Sequence, residues 1–159
     1  MHINPQVELM RETIQLSIEN VRSGQGGPFA TLVVKDGKVI ARGTNVVTST
    51  NDPTAHAEII AIRAACKLLG SFQLVGCEIY TSCEPCPMCL GAMYWARPDK
   101  IFFGNTKNDA AHIGFDDSFI YKEFSIPSNQ RKIPMTQILP DEALKAFQEW
   151  QLKEDKIKY

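Results

Sequence analysis

Two short segments constrain this chain more than anything else in it: Thr54-Ala55-His56-Ala57-Glu58 and Ser82-Cys83-Glu84-Pro85-Cys86-Pro87-Met88-Cys89. Each leads into a run with helical spacing, so each belongs at a helix start. Cys86 and Cys89 are three apart, which places both thiols on one helix face. A helix N-terminus favours thiolate over thiol, because its free N–H groups and dipole stabilise negative charge. His56 and Glu58, two apart in a first turn, point in different directions. One imidazole and two thiolates make a donor set appropriate to tetrahedral zinc, one ion per chain. If one ion takes all three, the fold must bring two helix starts together.

Three protein ligands leave the fourth position for water, as a catalytic site requires. Two thiolates and a neutral imidazole cancel the charge of the dication, which weakens its Lewis acidity. The water then needs a nearby base, and Glu58 is the candidate, close to the metal without being a ligand. Cys83 keeps a second reading open, because it also forms a Cys-x-x-Cys with Cys86. As a fourth ligand it would close the site and make it structural, a zinc-stapled binding module. Cys66 and Cys77 read as buried small hydrophobes. His2 and His112 have no partners at ligand spacing and read as surface or packing residues. Asp116 and Asp117 read by default as an exposed loop or cap pair.

Along the rest of the chain, Val7, Met10, Ile14, Ile18 and Val21 recur at helical spacing, ended by Gly24, Gly26 and Gly27. Phe29 to Lys35 and Val39 to Arg42 flank Asp36-Gly37, a hairpin signal. Asp52-Pro53-Thr54 starts a second helix that Gly70 closes near Leu69. Cys77 to Thr81 predicts a strand, Pro85 opens a third helix that ends near Arg97 before Pro98, and Ile101 to Phe103 predicts a buried strand. Met135 to Leu139 is a candidate last strand. Pro140 to about Lys153 predicts an amphipathic helix carrying Leu144, Phe147 and Trp150. Trp95 and Trp150 are core residues by default, and Trp95 is also a candidate pocket wall. The alternation favours an α/β three-layer sandwich, a central mixed sheet of about five strands with helices on both faces.

A length of 159 residues suits one domain, here 1–159. A formal net charge of -1 gives no basic face for a phosphate-rich partner, so no nucleic acid is expected. No apolar stretch approaches the roughly 20 residues that span a bilayer, and Met1-His2-Ile3 does not begin a signal peptide. Five cysteines, three of them clustered, suggest a metal in a reducing, cytoplasmic setting.

His-x-Glu followed by Pro-Cys-x-x-Cys is the signature of zinc nucleobase deaminases. On these residues the chain resembles the cytidine-deaminase-like superfamily over about 27–104. It resembles the small bacterial guanine deaminases more closely and to the last residue. Supporting stretches are Gly26-Gly27-Pro28-Phe29, Asn51-Asp52-Pro53 before the His56 segment, Tyr80-Thr81-Ser82 before the cysteines, and Gly114-Phe115-Asp116-Asp117. The resemblance implies zinc on His56, Cys86 and Cys89, Glu58 as proton shuttle and Asp117 as second proton carrier. It implies a pocket with Phe29 stacking, Asn45 in polar contact, Ala57 acting through its backbone, and Tyr159 closing over the substrate. Guanine would then be hydrolysed to xanthine and ammonia; guanosine, ammeline and tRNA adenosine are the rival substrates. A homodimer is implied as well, with a C-terminal segment from about 105 to 159 exchanged between protomers across a polar hinge at 104–109. Ala30 departs from the pattern, which has glycine after Pro-Phe, and its methyl would narrow the wall beside Phe29.

Overall fold

The computed structural model describes residues 4–159; His2 and the rest of the Met1–Ile3 reading lie outside the described residues. The chain divides into two compact units, up to Asp117 and from Ser118 to Tyr159.

In the first unit, α1 (Pro5–Ser23) starts at Asn4, whose side chain accepts a hydrogen bond from the Gln6 N–H, with Pro5 in the first turn. It ends at Gly24 in the left-handed region. The hairpin follows as expected: β1 (Ala30–Lys35) and β2 (Lys38–Thr44) join through Asp36 and Gly37, both at positive φ. A single-turn α2 (Val47–Thr50) intervenes before α3 (Ala57–Leu69), which stops at left-handed Gly70. Then come β3 (Cys77–Cys83), α4 (Pro87–Ala96), β4 (Lys100–Asn105) and α5 (Lys107–His112). The sheet order is β2-β1-β3-β4, with β1 antiparallel to both neighbours and β3 parallel to β4.

Strand alternation feeds two cores, one on each face of the sheet. Val33, Cys77 and Ile79 pack with Ala61 and Ala65 of α3 and with Met93 and Ala96 of α4. Leu32, Val34 and Tyr80 pack on the other face against Leu9, Met10 and Leu16 of α1. Gly43 lets α3 approach the sheet: a Cβ there would lie 2.1 Å from the Ala57 carbonyl oxygen and 2.6 Å from the Ala61 nitrogen. Ala30 shares the parity of Leu32 and Val34, so its methyl points to the α1 face and is fully buried.

Three expectations are corrected: the strand count, the burial of β4 and the place of the two tryptophans. The sheet has four strands, because 133–139 forms no strand, and Met135 to Leu139 is exposed. β4 is an edge strand, with Phe103 48% exposed, rather than a buried one. Of the α1 residues read at helical spacing, Met10 packs on the sheet core while Val7, Ile14, Ile18 and Val21 are exposed, and the buried face also carries Thr13, Ser17 and Asn20. Trp95 and Trp150 are exposed at 64% and 43%, not core.

The stretch at 104–109 is structured: Gly104 and Asn105 finish β4, and Thr106 opens α5 in a capping box with Asp109. The Glu84 N–H donates to the Asn105 carbonyl and the Lys107 N–H to the Glu84 carboxylate, tying this stretch to the loop after β3.

The second unit holds α6 (Ser118–Ser125), a 3-10 turn at Ser128–Gln130 and α7 (Pro140–Leu152). The Lys132 N–H donates to Glu123 and the Arg131 guanidinium to the Ile126 carbonyl, which folds the linker back on α6. No side chain of this unit is buried.

Candidate active site

His56 is the N-cap of α3 and Cys86 the N-cap of α4, each on extended backbone, and neither side chain caps its own helix. Both turn toward each other instead. His56 Nδ1 lies 3.5 Å from Cys86 Sγ and 3.4 Å from Cys89 Sγ, Cys89 standing one turn into α4. The three donor atoms lie within 4.8 Å of one another, and among the described residues they form the one such group of three. A tetrahedral zinc at ordinary bond lengths would hold its nitrogen and sulfur ligands about 3.6 Å apart. The donor set and its spacing fit that ion. The helix starts lie slightly later than the proline signals suggest, since Pro87 rather than Pro85 takes the first turn of α4.

The electrostatics follow from two helix N-termini meeting over buried thiols. Cys86 is pushed down to about 4, chiefly by the hydrogen bond from Cys89 and also by His56. Cys89, donating to Cys86 and buried, is pushed up. Of the two thiols, Cys86 is the one more readily held as thiolate. That thiolate raises the His56 pKa through its hydrogen bond. Glu58 stands in the first turn of α3, 6% exposed, and burial pushes its carboxyl up, with the Cys86 charge adding to the effect. Asp117 is pushed up by burial first and by the Cys86 charge second, which puts its carboxyl in electrostatic reach of the cluster.

Cys83 does not join the donors. Its Sγ donates to the Thr106 carbonyl at 3.7 Å, and burial pushes the thiol up to about 11. The closed four-ligand arrangement loses its ligand.

Phe29 ends the loop before β1, and its ring meets Phe115 edge-on at 4.9 Å. Asn45 follows β2, and its Oδ1 accepts from the Gly27 and Val47 N–H groups at 3.4 and 3.3 Å. A Cβ on Gly26 would lie 2.0 Å from the Asn45 carbonyl oxygen, so only glycine permits this approach. The Asn45 N–H donates to the Phe29 carbonyl, and the Val46 N–H to Ala55, one residue before His56. Asn45 is thus held between the Phe29 loop and the start of α3. Ala57, fully buried, supplies the first helical residue of α3. Trp95 stands near the far end of α4, exposed. Tyr159 belongs to the second unit and is 71% exposed. Sequence reasoning did not assign Phe115 a role; its signal was its place in the Gly114-Phe115-Asp116-Asp117 stretch.

Residues 4–105 match the family described as the cytidine and deoxycytidylate deaminase zinc-binding region. The guanine deaminase of Bacillus subtilis (strain 168) is 54% identical over 150 residues, covering 94% of this chain and 96% of that protein. The crystal structure of the Bacillus subtilis guanine deaminase superposes with a TM-score of 0.94 at 52% identity, covering 99% of each chain. The tRNA-specific adenosine deaminase of Aquifex aeolicus (strain VF5) is 43% identical over 76 residues, which is 48% of this chain and 50% of that protein. The cluster of His56, Cys86 and Cys89 at two helix starts and the match over 4–105 agree, and the chain belongs to the cytidine and deoxycytidylate deaminase family of zinc-binding proteins.

Proposed function

We propose that the protein hydrolyses the exocyclic amine of guanine, giving xanthine and ammonia. The observation that carries this reading is a likeness to a guanine deaminase that runs through 94% of the chain, where the likeness to the tRNA-specific Aquifex enzyme stops at 48%. His56, Cys86 and Cys89 would hold the zinc. When bound there, zinc supplies Lewis acidity that brings the ionisation of water toward neutral pH.

Glu58 takes a proton from the attacking water and passes it to a ring nitrogen. Its burial pushes the carboxyl up, which favours a group that both accepts and returns a proton. The C2–O bond forms and the C2–N bond to the amine breaks, so the leaving nitrogen needs a second proton. Asp117, also shifted upward, delivers it and recovers a proton from the C2 hydroxyl as that oxygen becomes the xanthine carbonyl. Phe29 stacks on the purine with Phe115 bracing its ring, Asn45 makes a polar contact, and the Ala57 backbone borders the base. Trp95, exposed near the end of α4, is kept as a further candidate for the pocket wall. The expected test is ammonia release across guanine, guanosine, adenine, ammeline and an adenosine-bearing RNA stem-loop. Guanine is turned over at least about tenfold faster than any other; preference for the RNA would transfer the reading to tRNA. No ammonia from any of them would favour the zinc-stapled binding module.

The same reading includes a cytoplasmic location, supported by five free cysteines and a thiolate donor pair that suits a reducing compartment. Among the described residues no helix is long and apolar enough to cross a membrane. It also includes a homodimer with exchanged C-terminal segments, the exchange placed after Asp117 rather than from about 105, since Asp117 belongs to the first unit with Cys86, and Tyr159 closing the partner's pocket. Support comes from the division after Asp117 and from a second unit that buries no side chain yet exposes Ile133, Ile138, Leu144 and Phe147. Exchange costs little, since a segment makes the same contacts with either core. Co-refolding Glu58→Ala chains with chains lacking Tyr159 tests it. Exchange restores about a quarter of wild-type activity for random pairing; without exchange no site regains both residues and nothing is restored.

A further inference from the structure

The geometry points to Asn20 as the positioning residue that sets Asn45 and the Phe29 loop at a fixed separation; this rests on the reading of Asn45 and Phe29 as the purine contacts. Asn20 is 5% exposed and sits on the sheet-facing side of α1. Three polar residues are buried on that face. Thr13 and Ser17 direct their hydroxyls to carbonyls of their own helix, those of Leu9 and Ile14. Asn20 reaches out of it. Its Nδ2 donates to the Gly27 carbonyl at 2.8 Å and to the Asn45 carbonyl at 2.9 Å.

These two carbonyls belong to the two segments that carry the purine contacts. The Gly27 carbonyl also accepts from the Phe29 N–H at 2.8 Å, so its place fixes the turn that aims Phe29. Asn45 then donates its N–H to the Phe29 carbonyl and accepts the Gly27 N–H on Oδ1, closing a ring of bonds. A primary amide has two hydrogens on one nitrogen, and this site uses both on two oxygens. A hydroxyl has one hydrogen and a carboxylate none. Oriented this way, Asn45 has its Oδ1 committed to backbone, which leaves the Nδ2 end of its amide to face an acceptor on the base.

Two variants and a reference test it in zinc-loaded, full-length protein. Asn20→Asp keeps the shape but sets an oxygen against two carbonyl oxygens; Asn20→Ala removes both bonds without adding repulsion. In each, KM for guanine rises about tenfold or more while kcat stays within about threefold and zinc content is unchanged. Asn45→Ala, the reference, raises KM similarly. Adding Asn20→Ala to Asn45→Ala then lowers kcat/KM by clearly less than Asn20→Ala does alone, because one of the two positioned contacts is already gone and only the Phe29 loop is left to shift. Fully multiplicative effects in the double variant, or a loss confined to kcat, overturn the positioning role. Loss of zinc or of folding in both Asn20 variants makes the residue structural and overturns it too. If Asn45→Ala alone leaves KM unmoved, the Asn45 reading has failed and takes this inference with it, a result distinguishable from failure of Asn20 alone.

Discussion

Glu58→Gln lowers guanine turnover at least about a hundredfold, the low end for loss of a general acid–base group, while fold and zinc content persist. The amide matches the carboxyl in shape, so the packing around a side chain only 6% exposed is preserved. What disappears is the capacity to take a proton from water and return it. Glu58 lies outside the donor group of His56, Cys86 and Cys89, so its replacement removes no ligand. A neutral amide also costs less to bury than a carboxylate, so the thermal midpoint holds or rises. That combination separates a proton carrier from a structural residue. Steady-state kinetics, metal analysis and a melting curve read all three; near-normal turnover would remove Glu58 from the mechanism.

Cys86→Ser strips the protein of zinc, and Cys83→Ser does not. Serine at 86 replaces the thiolate, pushed down to about 4 and poised for a metal, with a hydroxyl that stays protonated and binds zinc poorly. The remaining His56 and Cys89 make an incomplete site, and affinity falls by at least about a hundredfold. Cys83 instead keeps its proton and hydrogen-bonds the Thr106 carbonyl, so its loss trims a contact between β3 and the stretch before α5. Metal content after dialysis against a weak chelator gives the comparison. Zinc retained in Cys86→Ser and lost in Cys83→Ser would reverse the ligand assignment and favour a structural site.

The parts of the fold written in local chemistry were legible in the sequence. Gly24 and Gly70 stop their helices in the left-handed region, and Asp36-Gly37 turns the hairpin, because few other residues serve there. The two helix starts carrying the metal donors were legible for the same reason, a fixed spacing with a fixed chemistry. What depended on neighbours was not. Met135 to Leu139 has strand character, yet a strand needs an edge to pair with, and none is recorded in its residues. Ile101 to Phe103 reads as buried, although its position at the end of the sheet order is set by topology. On α1 the buried face carries Thr13 and Ser17, which bond carbonyls of their own helix, and Asn20, which bonds carbonyls outside it, beside Leu9, Met10 and Leu16 packed on the sheet core. Asn20 bore a faint signal, a polar residue at helical spacing from two others. Its partners, Gly27 and Asn45, were visible only in three dimensions.

The most direct measurement is xanthine formation from guanine as zinc is removed by chelation and then restored to the same protein. Turnover is expected to follow zinc occupancy in proportion and to saturate at about one ion per chain, with one ammonia released per xanthine. Undiminished xanthine formation by metal-free protein would contradict zinc-dependent guanine deamination, as would its absence from fully loaded protein.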